Sequence, residues 1–327
     1  MLSSLKPLFS CFLSATLLFS PQVFSRETDN YYAWGKTLSD STQALNELLN
    51  LKLQESVETE NLENPFGSCH DLRKRVHQDF SSQIRHRVTR WVEDDPQIQK
   101  VPAMDTEDYE RFQHENIYQN RKLFIFSLSL SPLLDLAPTI KVAGIHLGVD
   151  KFGHFFPWGW KSYLSYKKAL EKKETPDEAL AKSILFSFKT EEGRLGFRVS
   201  KIFSRADMEA NYRGFLFYLD LCGESDSLFV WQNQKWSLNR DLDFSDYVNP
   251  YWDESFNNSI FKQSAWKKIH QALQPYCALR NDPEVVSRHE FYQMNLPTSP
   301  PQELILKSIR SGRLANPDDF SIEAACQ

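Results

Sequence analysis

Between Gly148 and Tyr163 the chain reads GVDKFGHFFPWGWKSY. Asp150, Lys151 and His154 fall within five residues, among the rings of Phe152, Phe155, Phe156, Trp158, Trp160 and Tyr163. Rings at this density belong in a core, and ionisable groups set among them must be capped, paired or neutralised. Asp150 and His154 are four apart, so a helix places them on one face, one turn apart. Pro157 opposes a straight continuation, because inside a helix its ring meets the carbonyl of Gly153. The pattern predicts a single turn holding His154, a sharp bend, and an aromatic helix resuming at Trp158.

A second polar pair follows in SRADMEANYRG, where Asp207 and Asn211 are also four apart and Ser204 with Asp207 forms an N-terminal capping signature. Between the two lies KTEEGR, with Glu191, Glu192 and Arg194. If the two helices pack with these faces together, Asp150, Lys151, His154, Glu192, Asp207 and Asn211 converge. Two readings stand. In the first the cluster does chemistry. His154 is the general base, Asp150 or Asp207 orients it, Glu192 joins the catalytic set, and Lys151, Arg194 and Asn211 hold a ligand. His154 with two carboxylates is also a donor set that zinc accepts, although neither a metal nor a cofactor is assigned from the sequence. In the second reading Asp150 is an N-cap, and the remaining groups are a buried polar network joining two helices.

DKFGHF (Asp150 to Phe155), a following Glu and SRADMEANYRG together resemble the D-K-x-x-H-F … E … S-x-x-D-x-x-x-N-x-x-G signature of VanZ-like proteins and related exported bacterial proteins. The resemblance covers Asp150 to Gly214. It implies a recurring polar core at Asp150, Lys151, His154, Glu192, Asp207 and Asn211. It carries no reaction with it. The chain departs from the VanZ-like pattern in having no obvious transmembrane helices around the motif.

The N-terminus sets a cellular address. Lys6 is followed by an apolar run from about Leu8 to Phe19 and then by SPQVFS, with Val23 and Ser25 at the small-residue positions before a cleavage point. This pattern predicts a signal peptide over residues 1–25, since the run is short of the roughly 20 residues that span a bilayer. Beyond it stand Cys69, Cys222, Cys277 and Cys326, an even number that permits two disulfides in an exported chain. Net charge is −5 with no long basic run, which excludes nucleic acid as the main partner. There is no G-x-S-x-G elbow, P-loop, HExxH, CxxC or GxGxxG.

Elsewhere the periodicity predicts a long helix over 31–60 and another from Ser68 towards Trp91. The second carries Arg73, Lys74, Arg75, Arg85, Arg87 and Arg90 on a solvated face, or one paired with Glu93 to Asp95. KLFIFSLSLSPLLDLAP reads as buried core. TIKVAGIHLGVD and LFVWQNQKWSLNR read as β-hairpins, and TPDE as a capped helix start with Pro176 in its first turn. YVNPYWDESF offers oxygen groups that calcium accepts, without EF-hand spacing. The whole is a mainly α fold: one helical domain over 26–282 with two small hairpins, and a looser helical tail over 283–327. The expectation is a periplasmic or secreted bacterial envelope protein with no membrane span after cleavage. Its partner is an envelope protein or small ligand, met by an aromatic surface; the alternative is a hydrolase using His154.

Overall fold

The computed structural model describes residues 26–81, 86–118, 135–193 and 196–327. The signal-peptide expectation, Arg194 and most of KLFIFSLSLSPLLDLAP lie outside these residues. The described chain is mainly helical, with three small two-stranded antiparallel sheets. None of its helices is long and apolar enough to cross a membrane.

The first expected helix is replaced by two elements. Asp29 accepts from the Tyr31 amide and caps a single 3-10 turn, Asn30–Ala33. The chain then unwinds until Asp40 accepts from the Thr42 amide and helix α1 begins, Thr42–Glu63. Its buried side is Leu45, Leu49, Leu53 and Val57, at steps of four. The reciprocal Ser68–Asp71 bonds start α2, Cys69–Ser81, as the capping pattern predicts. The helix does not run on to Trp91, which lies on a separate α3, Arg87–Asp94. α4 spans Glu107–His114 and is capped by Thr106.

The basic face of α2 is not simply solvated. Arg73 is largely buried, and its guanidinium donates to the carbonyls of Tyr218, Leu219 and Cys222 and to the Tyr163 hydroxyl. Arg75 pairs with Glu60 and Glu63 of α1. Glu93 pairs with Arg26.

Both expected hairpins form. β1 (Thr139–Val142) pairs with β2 (Ile145–Gly148), and β4 (Phe229–Gln232) with β5 (Lys235–Leu238), the latter turning through Asn233 and Gln234 at positive φ. The third sheet, β3 (Ile202–Phe203) with β6 (Ile260–Phe261), joins distant two-residue segments and leaves no periodic trace in the sequence.

α5, Lys151–Glu171, runs unbroken through Pro157. The helix is not interrupted at the proline, and both flanking turns are held by packing. Phe155 and Phe156 are fully buried before the proline, and just after it Gly159 seats on Gly214 and Phe215 of the helix Arg205–Asp220. α6 is Pro176–Glu192, opened by the Thr175–Glu178 capping box. α7 is Arg205–Asp220, capped by Ser204. α5 and α7 form the most extensive helix pair of the described chain. α7 feeds both main apolar clusters: Phe215, Phe217 and Tyr218 enter the one built on α1, α2 and α5, and Met208 the other.

The C-terminal part adds α8 (Gln263–Leu273), α9 (Pro283–Met294), α10 (Pro300–Arg310) and α11 (Ile322–Ala325). Val285, Ile305, Phe320 and Ile322 are buried against Phe112, Trp266 and Ile269. Two disulfides lock the chain, Cys69–Cys222 and Cys277–Cys326.

Candidate functional site

Hairpin β1–β2 delivers the chain to Asp150, the residue before α5. Its position is that of an N-cap, but its backbone is already helical and its carboxylate caps nothing. The carboxylate turns inward instead. Oδ1 accepts from the Thr28 hydroxyl at 2.6 Å and Oδ2 from Lys151 Nζ at 2.7 Å. Gly148 makes this possible, since a Cβ there would overlap both Asp150 and Thr28.

Lys151 is the hub. Its ammonium donates to Asp150, to Asp207 Oδ1 at 2.7 Å and to Glu254 Oε1 at 2.6 Å, which uses all three of its protons. The lysine side chain is wholly buried and its three partners nearly so. Burial alone would depress the lysine pKa, but the three carboxylates outweigh it and hold Lys151 well above its ordinary value. Glu254 also accepts from Ser204 Oγ at 2.9 Å and from the Tyr118 hydroxyl at 3.1 Å. Burial pushes its carboxyl up to about 7 against the pull of Lys151.

His154 lies one turn beyond Lys151 and is 1% exposed. Its Nε2 is 3.2 Å from Asp207 Oδ2 and its Nδ1 is 3.3 Å from Asn211 Oδ1. Burial pulls the imidazole below its ordinary pKa despite the neighbouring Asp207. For Asp207 burial works upwards, but His154 and Lys151 prevail and keep it ionised.

The expected convergence of Asp150, Lys151, His154, Asp207 and Asn211 is what the packing of α5 on α7 produces. Glu192 is not among them. It faces outward and forms a bidentate pair with Arg313, at 2.7 and 2.5 Å. It lines a surface cavity with Lys161, Lys189 and Arg198. The preceding residue, Glu191, is the one that reaches the cluster. Adjacent helix positions point about 100° apart, so the last turn of α6 sends one carboxylate in and the other out. Glu191 is buried, which together with Asp207 raises its pKa well above the ordinary range.

Thr28, Glu191 and Glu254 escape the sequence reading. Glu191 is adjacent to the residue chosen, and helix phase alone distinguishes them. Glu254 lies in the acidic YVNPYWDESF segment, but nothing in its spacing ties it to Lys151. Among the described residues, two groups of side chains have the composition and proximity to hold a metal ion: His154, Glu191 and Asp207, and Glu27, Asp207 and Glu254.

The aromatic wall is core except at Trp158, which is half-buried and lines the same surface cavity as Glu192. Phe152, Phe155 and Phe156 are fully buried and Trp160 and Tyr163 nearly so. No protein-family model, curated protein or solved structure matches the chain.

Proposed function

We propose that this is an exported bacterial envelope protein that acts by binding, and that the Lys151 hub is a structural element. The observation that carries this reading is the burial of His154, which is 1% exposed. A general base has to reach its substrate. The disulfides suit an oxidising compartment, and the apolar N-terminal run supports export. The resemblance of Asp150 to Gly214 to the VanZ-like signature supports the hub as a recurring motif, with Glu191 as the glutamate that enters it. The binding surface in this reading is the edge where hairpin β4–β5 meets the end of α1. There Leu62, Phe66, Trp231 and Leu238 are exposed around the paired hydrogen bonds of Asn61 with Trp236.

The test is a pair of variants. In the structural reading Asp207→Ala breaks a buried ion pair and costs about 3–5 kcal/mol, His154→Ala also lowers the melting temperature, and neither the wild type nor the variants turn over ester, amide or phosphoester probes. A second reading, a hydrolase with His154 as base and Asp207 or Asp150 orienting it, is favoured by the 3.2 Å His154–Asp207 contact. It requires turnover by the wild type, with both variants inactive and as stable as the parent or more so.

A further inference from the structure

We propose that His154, Glu191 and Asp207 form a binding site for one divalent transition-metal cation of the zinc type, at the edge of the Lys151 hub. The donor set is one imidazole nitrogen and two carboxylate oxygens, and the candidate ligand atoms all lie within 4.8 Å of one another. Zinc bonds such atoms at about 2.0–2.2 Å, so small side-chain rotations bring all three into range. A nitrogen donor with two carboxylates selects this class of ion over calcium and magnesium, which take oxygen almost alone.

Three further features fit. Asp207 divides its oxygens, Oδ1 accepting from Lys151 while Oδ2 faces His154. Asn211 Oδ1 lies on the far ring nitrogen of His154, where it accepts from Nδ1–H and directs Nε2 towards the carboxylates. That is the outer-shell arrangement that orients metal-binding histidines. The independent observation is Glu191. It comes from a different helix, is 2% exposed, and its buried Oε1 has no hydrogen-bond partner among the described residues. A buried carboxylate oxygen without a donor is costly. Lys151 is already shared by Asp150, Asp207 and Glu254, so a second cation beside Glu191 supplies the charge that the lysine does not.

The experiment uses the full mature chain, tag-free, with disulfides intact. It is stripped with chelator, dialysed, and titrated with zinc alone by calorimetry, with melting curves in parallel. One equivalent is expected to bind and to raise the melting temperature by several degrees. Glu191→Gln keeps the shape of a protonated glutamate and is expected to weaken zinc binding by at least about tenfold, the lower end of what lost metal-site partners cost. Glu192→Gln, on the outward-facing neighbour, is expected to bind as the wild type does. No binding by the wild type, or equal binding by Glu191→Gln, overturns the proposal and leaves Glu191 holding a proton. Should Glu191→Gln fail to fold, X-ray absorption of zinc-loaded wild type decides. One imidazole with oxygen ligands supports the site; sulfur ligation, or oxygen ligation without imidazole, overturns it. The inference stands apart from the structural role proposed above, because the Asp207→Ala melt reports on that role whether or not zinc binds.

Discussion

Gly159 of α5 and Gly214 of α7 face each other across the closest approach of the two helices. A Cβ on Gly159 would lie 2.5 Å from the Gly214 carbonyl carbon, and one on Gly214 would overlap the carbonyl oxygen of Phe155. The obstacle in each case is backbone, which cannot rotate aside. The helices would have to separate, and the hub that spans them would open. Gly214→Ala is therefore expected to destabilise the protein by about 3 kcal/mol or more, beyond the usual cost of one surplus methyl group. Urea denaturation of the variant against wild type measures it; a change within 0.5 kcal/mol, the usual scatter of surface substitutions, would show that the crossing tolerates spreading.

Lys151→Met leaves three buried carboxylates facing one another without their shared cation. The expected cost is about 3–5 kcal/mol, the range for removing one partner of a buried pair. Thermal and chemical melts read it. A variant as stable as the parent would mean that the carboxyls find protons at little cost.

Cys69–Cys222 ties the start of α2 to the residue pair that follows α7, and Arg73 caps the same helix end through three carbonyls. Cys222→Ser is expected to cost roughly 2–4 kcal/mol. Arg73→Met is expected to cost about 1.5–3 kcal/mol through lost charged hydrogen bonds, and Arg73→Lys will not restore it, because one ammonium cannot reproduce the fork. Alkylation under denaturing, non-reducing conditions should find no free thiol among Cys69, Cys222, Cys277 and Cys326.

Acid should weaken the fold through buried histidines. His77, stacked on Trp160, is held down to about 4 by burial and then by Lys161, and His146, against the Tyr292 hydroxyl, to about 2 by burial and then by Arg288. Above pH 6.5 neither folded nor unfolded imidazole is charged, and there is no penalty. Between pH 6.5 and 4 the unfolded chain takes up a proton that folded His77 refuses, so stability falls. Below about pH 4 the His77 loss is complete, at roughly 3 kcal/mol. The measurement is the difference in unfolding free energy between wild type and His77→Gln across this window. Burial raises the carboxyls of Asp29 and Glu254, which pull the other way, but they are common to both proteins and drop out of the comparison. A difference that is flat with pH would refute the assignment.

Much of the polar cluster is visible in sequence because it rests on local rules. Two i,i+4 pairs at helix starts place Asp150 with His154 and Asp207 with Asn211, and both helices start at the expected residues, α7 with its Ser204 cap and α5 without one from Asp150. What is not visible depends on long-range packing. Glu191 and Glu192 have the same chemistry, and only the phase of the last turn of α6 selects between them. Thr28 and Glu254 arrive from 122 residues before Asp150 and 103 after Lys151, distances over which no periodicity carries. Pro157 misleads because the local clash is real but is outweighed by packing on both sides. Arg73 misleads because a basic residue beside other basic residues looks solvated until the end of α7 is brought to it.

The hub also fixes an order of events. Thr28 stands near the beginning of the described chain, and its partner Asp150, then Asp207, then Glu254, follow at long intervals. A chain synthesised N-terminus first presents Thr28 long before anything exists for it to bind. Lys151 then emerges with only one of its three acceptors beside it. Until Glu254 is made, each arriving carboxylate must stay hydrated, and the aromatic segment that carries Lys151 has no finished core to enter. The full hub therefore cannot close before residue 254 is present, and closing it draws residues 28, 150, 207 and 254 together across most of the described chain.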